Sequence, residues 1–193
     1  MAERQSHGFK FEVKWCRSNN AILWKEYEAK YGKQYNGGYT SKWDAIDENK
    51  VGKSYKGRPI QIKCIGINNA IELGDIFRNS TKEEDFRLIV GFWNGIKTNI
   101  HQIVELEINH KKWNKLFKWD RYDELKDWIT NKVSNEYSYD NQWKSEMSYY
   151  KQLWGSRVIT PTFKRDHKRQ RRIQCQIPYN TFMEEFVKNK ICE

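Results

Sequence analysis

No apolar run in this chain approaches the roughly 20 residues needed to span a bilayer, so no membrane-spanning helix is expected. The opening residues, MAERQSHGFKFEVKW, lack the apolar stretch of a secretory signal. The four cysteines, Cys16, Cys64, Cys175 and Cys192, are scattered and form no CxxC pair. That argues against a zinc ribbon and points to a reducing interior, so a cytoplasmic location is expected. Neither GxxxxGK(S/T) nor GxGxxG occurs, which leaves nucleotide-cradling loops without an anchor. His7, His101, His110 and His167 are not at metal-ligand spacing. There is no internal repeat and no low-complexity linker. Acid is scarce relative to base: 25 Asp and Glu face 35 Lys and Arg, for a net charge of +10 and a pI near 9.3.

What is present is aromatic and basic. Aromatic residues make up 15% of the 193, including 9 Trp, enough apolar surface for one ordered domain spanning 1–193. The positive balance favours a polyanion, nucleic acid first and an anionic membrane second.

Periodicity sketches the elements. Residues 7–15 alternate Phe9, Phe11, Val13 and Trp15 against Lys10, Glu12 and Lys14, a strand signature, with a first helix as the other reading. Asn19 or Asn20 is placed to cap a helix over 21–30 with Ile22, Leu23, Tyr27 and Tyr31 inward. Glycines 32, 37 and 38 lead into a strand from Tyr39. Residues 59–65 alternate with period two, and Gly52, Gly57 and Pro59 supply a turn before them, so 39–65 reads as a hairpin. Asn68 and Asn69 precede a short helix or turn in AIELGDIFRNS. Residues 86–93 form a continuous apolar run, read as a central strand, and Asn94-Gly95 turns it into another strand over 98–108. Helical spacing follows in 111–119, 123–133 and 140–154, the last with Gly155 as its stop. Asn109 and His110 read as a helix start. Residues 158–177 read as a hairpin. Thr181 and Glu184 fit a capping box for a final helix with Phe182, Met183, Phe186 and Val187 inward. Strands in the first half and helices in the second suggest an α/β or α+β layer domain.

Two constellations carry chemistry. In the first, Asp44 ends an aromatic run, and Gln61 and Lys63 share one face of the next strand after sixteen intervening residues. A carboxylate, an amide oxygen and a lysine then converge. Asp44, Gln61 and the Ile62 backbone carbonyl are hard oxygen donors of the kind Mg²⁺ prefers. Such an ion polarises a phosphate and acidifies water, and Lys63 offsets charge building on the phosphate oxygens. In the second, KRDHKRQRRIQCQ gathers Lys164, Arg165, Lys168, Arg169, Arg171 and Arg172 around one acid, with Gln170 and Gln174 interleaved. Lys and Arg neutralise phosphates, and Arg and Gln are the residues that read guanine and adenine edges.

The arrangement Trp43-Asp44 followed by Gln61-Ile62-Lys63 resembles the PD-(D/E)XK nuclease superfamily. With HGFKFE, KWDA, PIQIK and IELGDIF in that order, the first half of the chain looks like small type II restriction endonucleases. The resemblance implies an α/β, restriction-endonuclease-like mixed central sheet flanked by helices. It implies a catalytic core over about 1–110, and a helical, DNA-contacting region with a basic hairpin or loop over about 111–193. It implies Mg²⁺-dependent cleavage of a short duplex DNA sequence by a homodimer, with Asp44, Gln61 and Lys63 catalytic. Gln61 stands where an acid is commoner, so a further carboxylate is expected. Glu12 is the first choice, because in this fold an acid often comes from the first helix or strand; Glu26, Glu28, Glu72 and Asp75 are others. A homing endonuclease or junction resolvase of the same fold, and a non-catalytic DNA-binding protein, remain as alternative readings.

Overall fold

The alternating stretch 58–66, the continuous apolar run 86–93 and the alternating stretch 100–108 build three adjacent strands of a five-stranded sheet, the last of them at its edge. The computed structural model describes residues 3–32, 43–95, 99–118, 120–129, 141–154, 157–165 and 171–193. In chain order the elements are α1 (Glu3–Ser18), β1 (Ile22–Leu23), α2 (Trp24–Tyr31), β2 (Ala45–Asp47), β3 (Arg58–Gly66), β4 (Ile71–Asp75) and α3 (Ile76–Asn79). Then come β5 (Phe86–Trp93), β6 (Ile100–Ile108), α4 (His110–Lys115), α5 (Tyr122–Asp127), α6 (Asn141–Trp154), β7 (Thr160–Arg165) and β8 (Arg171–Ile177). The last is α7 (Tyr179–Thr181), which continues as a wider π-helix over Phe182–Lys188.

The larger sheet has the order β1-β2-β3-β5-β6. Its first three strands are antiparallel, β5 runs parallel to β3, and β6 returns antiparallel to β5. A parallel pair needs a crossover, and here β4 and α3 supply it. A second, antiparallel sheet has the order β4-β8-β7. Each face of the large sheet has its own core. On one, Phe11, Trp15 and Cys16 of α1 pack on Ala45, Ile60, Ile62 and Ile89. On the other, Leu88, Val90 and Phe92 meet β4, β8 and the C-terminal helices through Leu73, Trp113, Ile173, Phe182 and Phe186. The result is a mixed central sheet flanked by helices. No described helix is long and apolar enough to cross a membrane.

Two glycines are needed where they stand. Gly57 turns at φ +139 into β3, and a Cβ there would lie 2.6 Å from the Asp47 carbonyl oxygen. Gly91 leaves a bare spot on β5 into which the Phe11 ring drops; a Cβ would lie 2.5 Å from it. That contact sets how closely α1 approaches the sheet.

Several local expectations are corrected. Residues 7–15 belong to a helix: Phe11 and Trp15 are buried at i, i+4 spacing, whereas Phe9 is 53% exposed, so the alternation was not a strand face. The helix expected over 21–30 starts at Trp24, because Ile22 and Leu23 pair with Ile46 and Ala45 and draw the chain into the sheet first. Glu26, not an asparagine, receives the Leu23 N–H. The segment 71–75 is a strand, with Ile71 and Leu73 buried and Glu72 exposed, before one helical turn. No Thr181–Glu184 capping box forms; the last helix opens one turn earlier, where Phe182 N–H donates to Pro178 O. The expected strand over 39–42 and the Gly155 stop fall outside the described residues.

Candidate active site

The site begins with a length mismatch. β2 has three residues and β3 has nine, so beyond Ile60 the β3 edge has no neighbouring strand on the β2 side among the described residues. An unpaired backbone donor there needs a partner. Asp44, the residue before β2, provides it: Ile62 N–H donates to Asp44 Oδ2 at 2.7 Å. Asp44 is itself fixed at both backbone ends. Its N–H donates to Ile60 O and its carbonyl accepts from Trp24 N–H, each at 3.0 Å. The Ile62 carbonyl points to the same open side, since a strand residue sends its N–H and C=O the same way.

Lys63 reaches the same carboxylate oxygen, with Nζ 3.5 Å from Asp44 Oδ2, and both side chains keep contact with solvent. Glu12 comes from α1. Burial pushes its carboxyl up to about 7, with the negative charge of Asp44 adding to the rise and Lys63 and Lys25 opposing it. Glu12, Asp44 and Lys63 therefore form one electrostatic cluster at the open strand edge.

A carboxyl near 7 in the fold and 4.5 in the unfolded chain holds more protons when folded. Stability therefore falls as pH rises through that window, and remains at the lower level above it. Glu12→Gln removes the charge and is expected to abolish this slope. At pH 8 the variant should be more stable than the wild type by on the order of 1–2 kcal/mol, allowing for solvent screening. Urea denaturation at pH 5 and pH 8 reads the difference directly.

Gln61 lies on the same face of β3 as Lys63 but is only 5% exposed. Its Nε2 donates to Leu73 O at 3.3 Å and to Asn79 Oδ1 at 3.4 Å. Its Oε1 is buried and has no hydrogen-bond partner among the described residues. Asp75 caps α3 by accepting Arg78 N–H at 2.9 Å. It also marks how near β8 comes: the Cys175 thiol is pushed up by burial and by Asp75, and pulled back by Lys82 and Lys63. Next to Asp44 in the chain, Trp43 is buried, with Lys82 Nζ 3.9 Å from its ring centroid. Glu26 is exposed and committed to its helix cap, Glu72 is exposed, and Asp47 is paired to Arg87 at 3.2 Å.

The donors fit a hard cation. Glu12 and Asp44 offer carboxylates, Ile62 a carbonyl on the open edge, and Gln61 an amide oxygen without a partner. Among the described residues no three His, Cys, Asp or Glu side chains gather as a metal cluster, so amide and backbone oxygens are needed to complete such a set.

The basic hairpin is a hairpin in backbone terms. Arg165 lies opposite Arg171, Lys164 opposite Arg172, and Thr162 opposite Gln174. β4 covers β8 only from Gln174 to Ile177, so Arg171, Arg172 and the facing part of β7 extend past the small sheet at its Asp75 end. Gln174 is the register partner of Asp75 and is partly buried. Lys168, Arg169 and Gln170 lie outside the described residues.

Sequence reading missed Asn79 and the Leu73 carbonyl as partners of Gln61, and Lys82 over the Trp43 ring. The period-two alternation of Ile71 and Leu73 was the one available signal, because it would have placed a strand beside β3. No known protein family, curated protein or solved structure matches this chain.

Proposed function

We propose that this protein is a Mg²⁺-dependent DNA endonuclease of the PD-(D/E)XK type, cleaving a short specific duplex sequence as a type II restriction enzyme does. The observation that carries the reading is the pairing of Asp44 with Lys63 and with the Ile62 N–H at the edge of β3, with Glu12 of α1 in electrostatic reach of both side chains. Asp44, Gln61, Glu12 and the Ile62 carbonyl would hold Mg²⁺, which when bound would supply Lewis acidity toward a phosphate and a water. Asp44 is held rigidly by Ile62 and anchors the site. Lys63 holds a positive charge beside the carboxylate, where it offsets charge building on a scissile phosphate. Glu12, poised near neutrality, is suited to accept or return a proton. The β7–β8 hairpin brings Lys164, Arg165, Arg171 and Arg172 close together in the backbone register, and such a cluster neutralises phosphates. A two-fold palindromic target goes with a homodimer.

The test is digestion of fully sequenced plasmid and genomic DNA with Mg²⁺ or Mn²⁺, beside binding in Ca²⁺. Discrete bands with mapped ends support a restriction enzyme. Cutting confined to branched DNA moves the protein to the resolvases. Duplex binding that never leads to cleavage with either metal makes it a non-catalytic DNA-binding protein.

A further inference from the structure

Gln61 departs from the commoner acid at its position, and its surroundings give a reason. The amide nitrogen faces two acceptors, Leu73 O and Asn79 Oδ1. A carboxylate in its place would set oxygen against both. Asn79 cannot turn to offer a donor instead, because its own amide nitrogen donates to Leu73 O at 3.1 Å and to Asp75 O at 2.8 Å. Its backbone is pinned as well, with Trp113 Nε1 donating to Asn79 O at 2.8 Å. Asn79 is 2% exposed. With Nε2 turned toward β4 and α3, Gln61 Oε1 is turned away from them, buried and without a partner among the described residues. Buried polar oxygens are nearly always satisfied, and this one lies on the face of β3 that carries Lys63.

We infer that Asn79 is a positioning residue for a divalent cation: by accepting from Gln61 Nε2 it orients the amide so that Oε1 is presented as a ligand. The inference rests on the metal-dependent reading above. Outer partners of metal ligands typically matter by 10- to 100-fold in affinity. Asn79→Ala and Gln61→Ala should each weaken Ca²⁺ or Mn²⁺ binding by about 10-fold or more. The double variant should be no weaker than either single one, because Asn79 acts only through Gln61. Gln61→Glu adds a negative charge to a cation site, yet should loosen binding, because its oxygens meet Leu73 O and Asn79 Oδ1.

Calorimetric titration of the wild type and the four variants measures this. A buried variant can fail to fold, so the wild-type protein supplies an independent reading by carbonyl ¹³C NMR. On Mg²⁺ titration the Gln61 Cδ resonance should shift while its Nε2 protons remain protected from exchange. Asn79→Ala binding within about 2-fold of wild type, an equal further loss in the Gln61→Ala background, or tighter binding by Gln61→Glu each overturns the inference. So does a Gln61 Cδ that stays still while Asp44 Cγ moves. A wild-type protein that binds no divalent ion overturns the metal-dependent reading itself, and this inference with it.

Discussion

Lys63→Ala should leave duplex DNA bound in Ca²⁺ and cut it about 10³-fold more slowly in Mg²⁺. Among the described residues, the two other lysines nearby are engaged elsewhere: Lys25 acts on Glu12, and Lys82 is buried against the Trp43 ring. DNA binding should persist because the residues proposed to neutralise phosphates lie on the separate β7–β8 hairpin. The fold should persist too, since the Lys63 side chain is 21% exposed and its pair with Asp44 is long at 3.5 Å. Lys63→Met, which keeps most of the stem, should be equally inactive. Single-turnover cleavage of a cognate duplex and a filter-binding isotherm separate the two effects. Cleavage within about 3-fold of wild type would remove Lys63 from the chemistry.

Trp113→Ala should cost about 3–5 kcal/mol of folding stability. The indole is fully buried and joins three elements of the larger core. It meets Phe86 of β5 edge-on at 5.3 Å, Phe117 at 5.8 Å and Phe186 of the final helix at 6.0 Å. Its Nε1 also holds the Asn79 carbonyl. Alanine leaves a large cavity and an unpaired buried carbonyl together. Trp113→Phe keeps most of the volume and should lose nearer 1–2 kcal/mol, mainly the hydrogen bond. Urea unfolding midpoints at constant m-value give both numbers. A loss below about 1 kcal/mol for the alanine variant would mean that the C-terminal helices are not docked through this ring.

How much of this was legible in the sequence depended on range. β3 and β6 were readable from their short-range alternation, and β5 from its continuous apolar run, which matches a strand buried on both faces. The β2–β3 pairing was readable because glycines and a proline mark the turn between them. Asp44 and Lys63 came together because a hairpin link brings sequence-distant residues face to face. The first helix was misread because Phe9, Phe11, Val13 and Trp15 satisfy both a period of two and part of a helical stripe. Only the packing of Phe11 against Gly91 decides between them. The environment of Gln61 was not readable at all. Its partners lie 12 and 18 residues ahead, in a strand and a one-turn helix whose docking on β3 is a tertiary fact. Glu12 was chosen by analogy; its closeness to Asp44 depends on how α1 seats on the sheet.

The carboxylate of Asp44 completes a hydrogen-bond ladder that a longer β2 would otherwise have completed. Its oxygen is consequently immobilised by main-chain atoms before any guest arrives. A cation that shared this oxygen would find the Asp44 side chain already ordered, so that part of the entropy of arranging the receptor is spent when the chain folds. The same economy makes the aspartate hard to replace. Asparagine or serine can answer the Ile62 amide, but neither brings the full charge that the proposed cation would require.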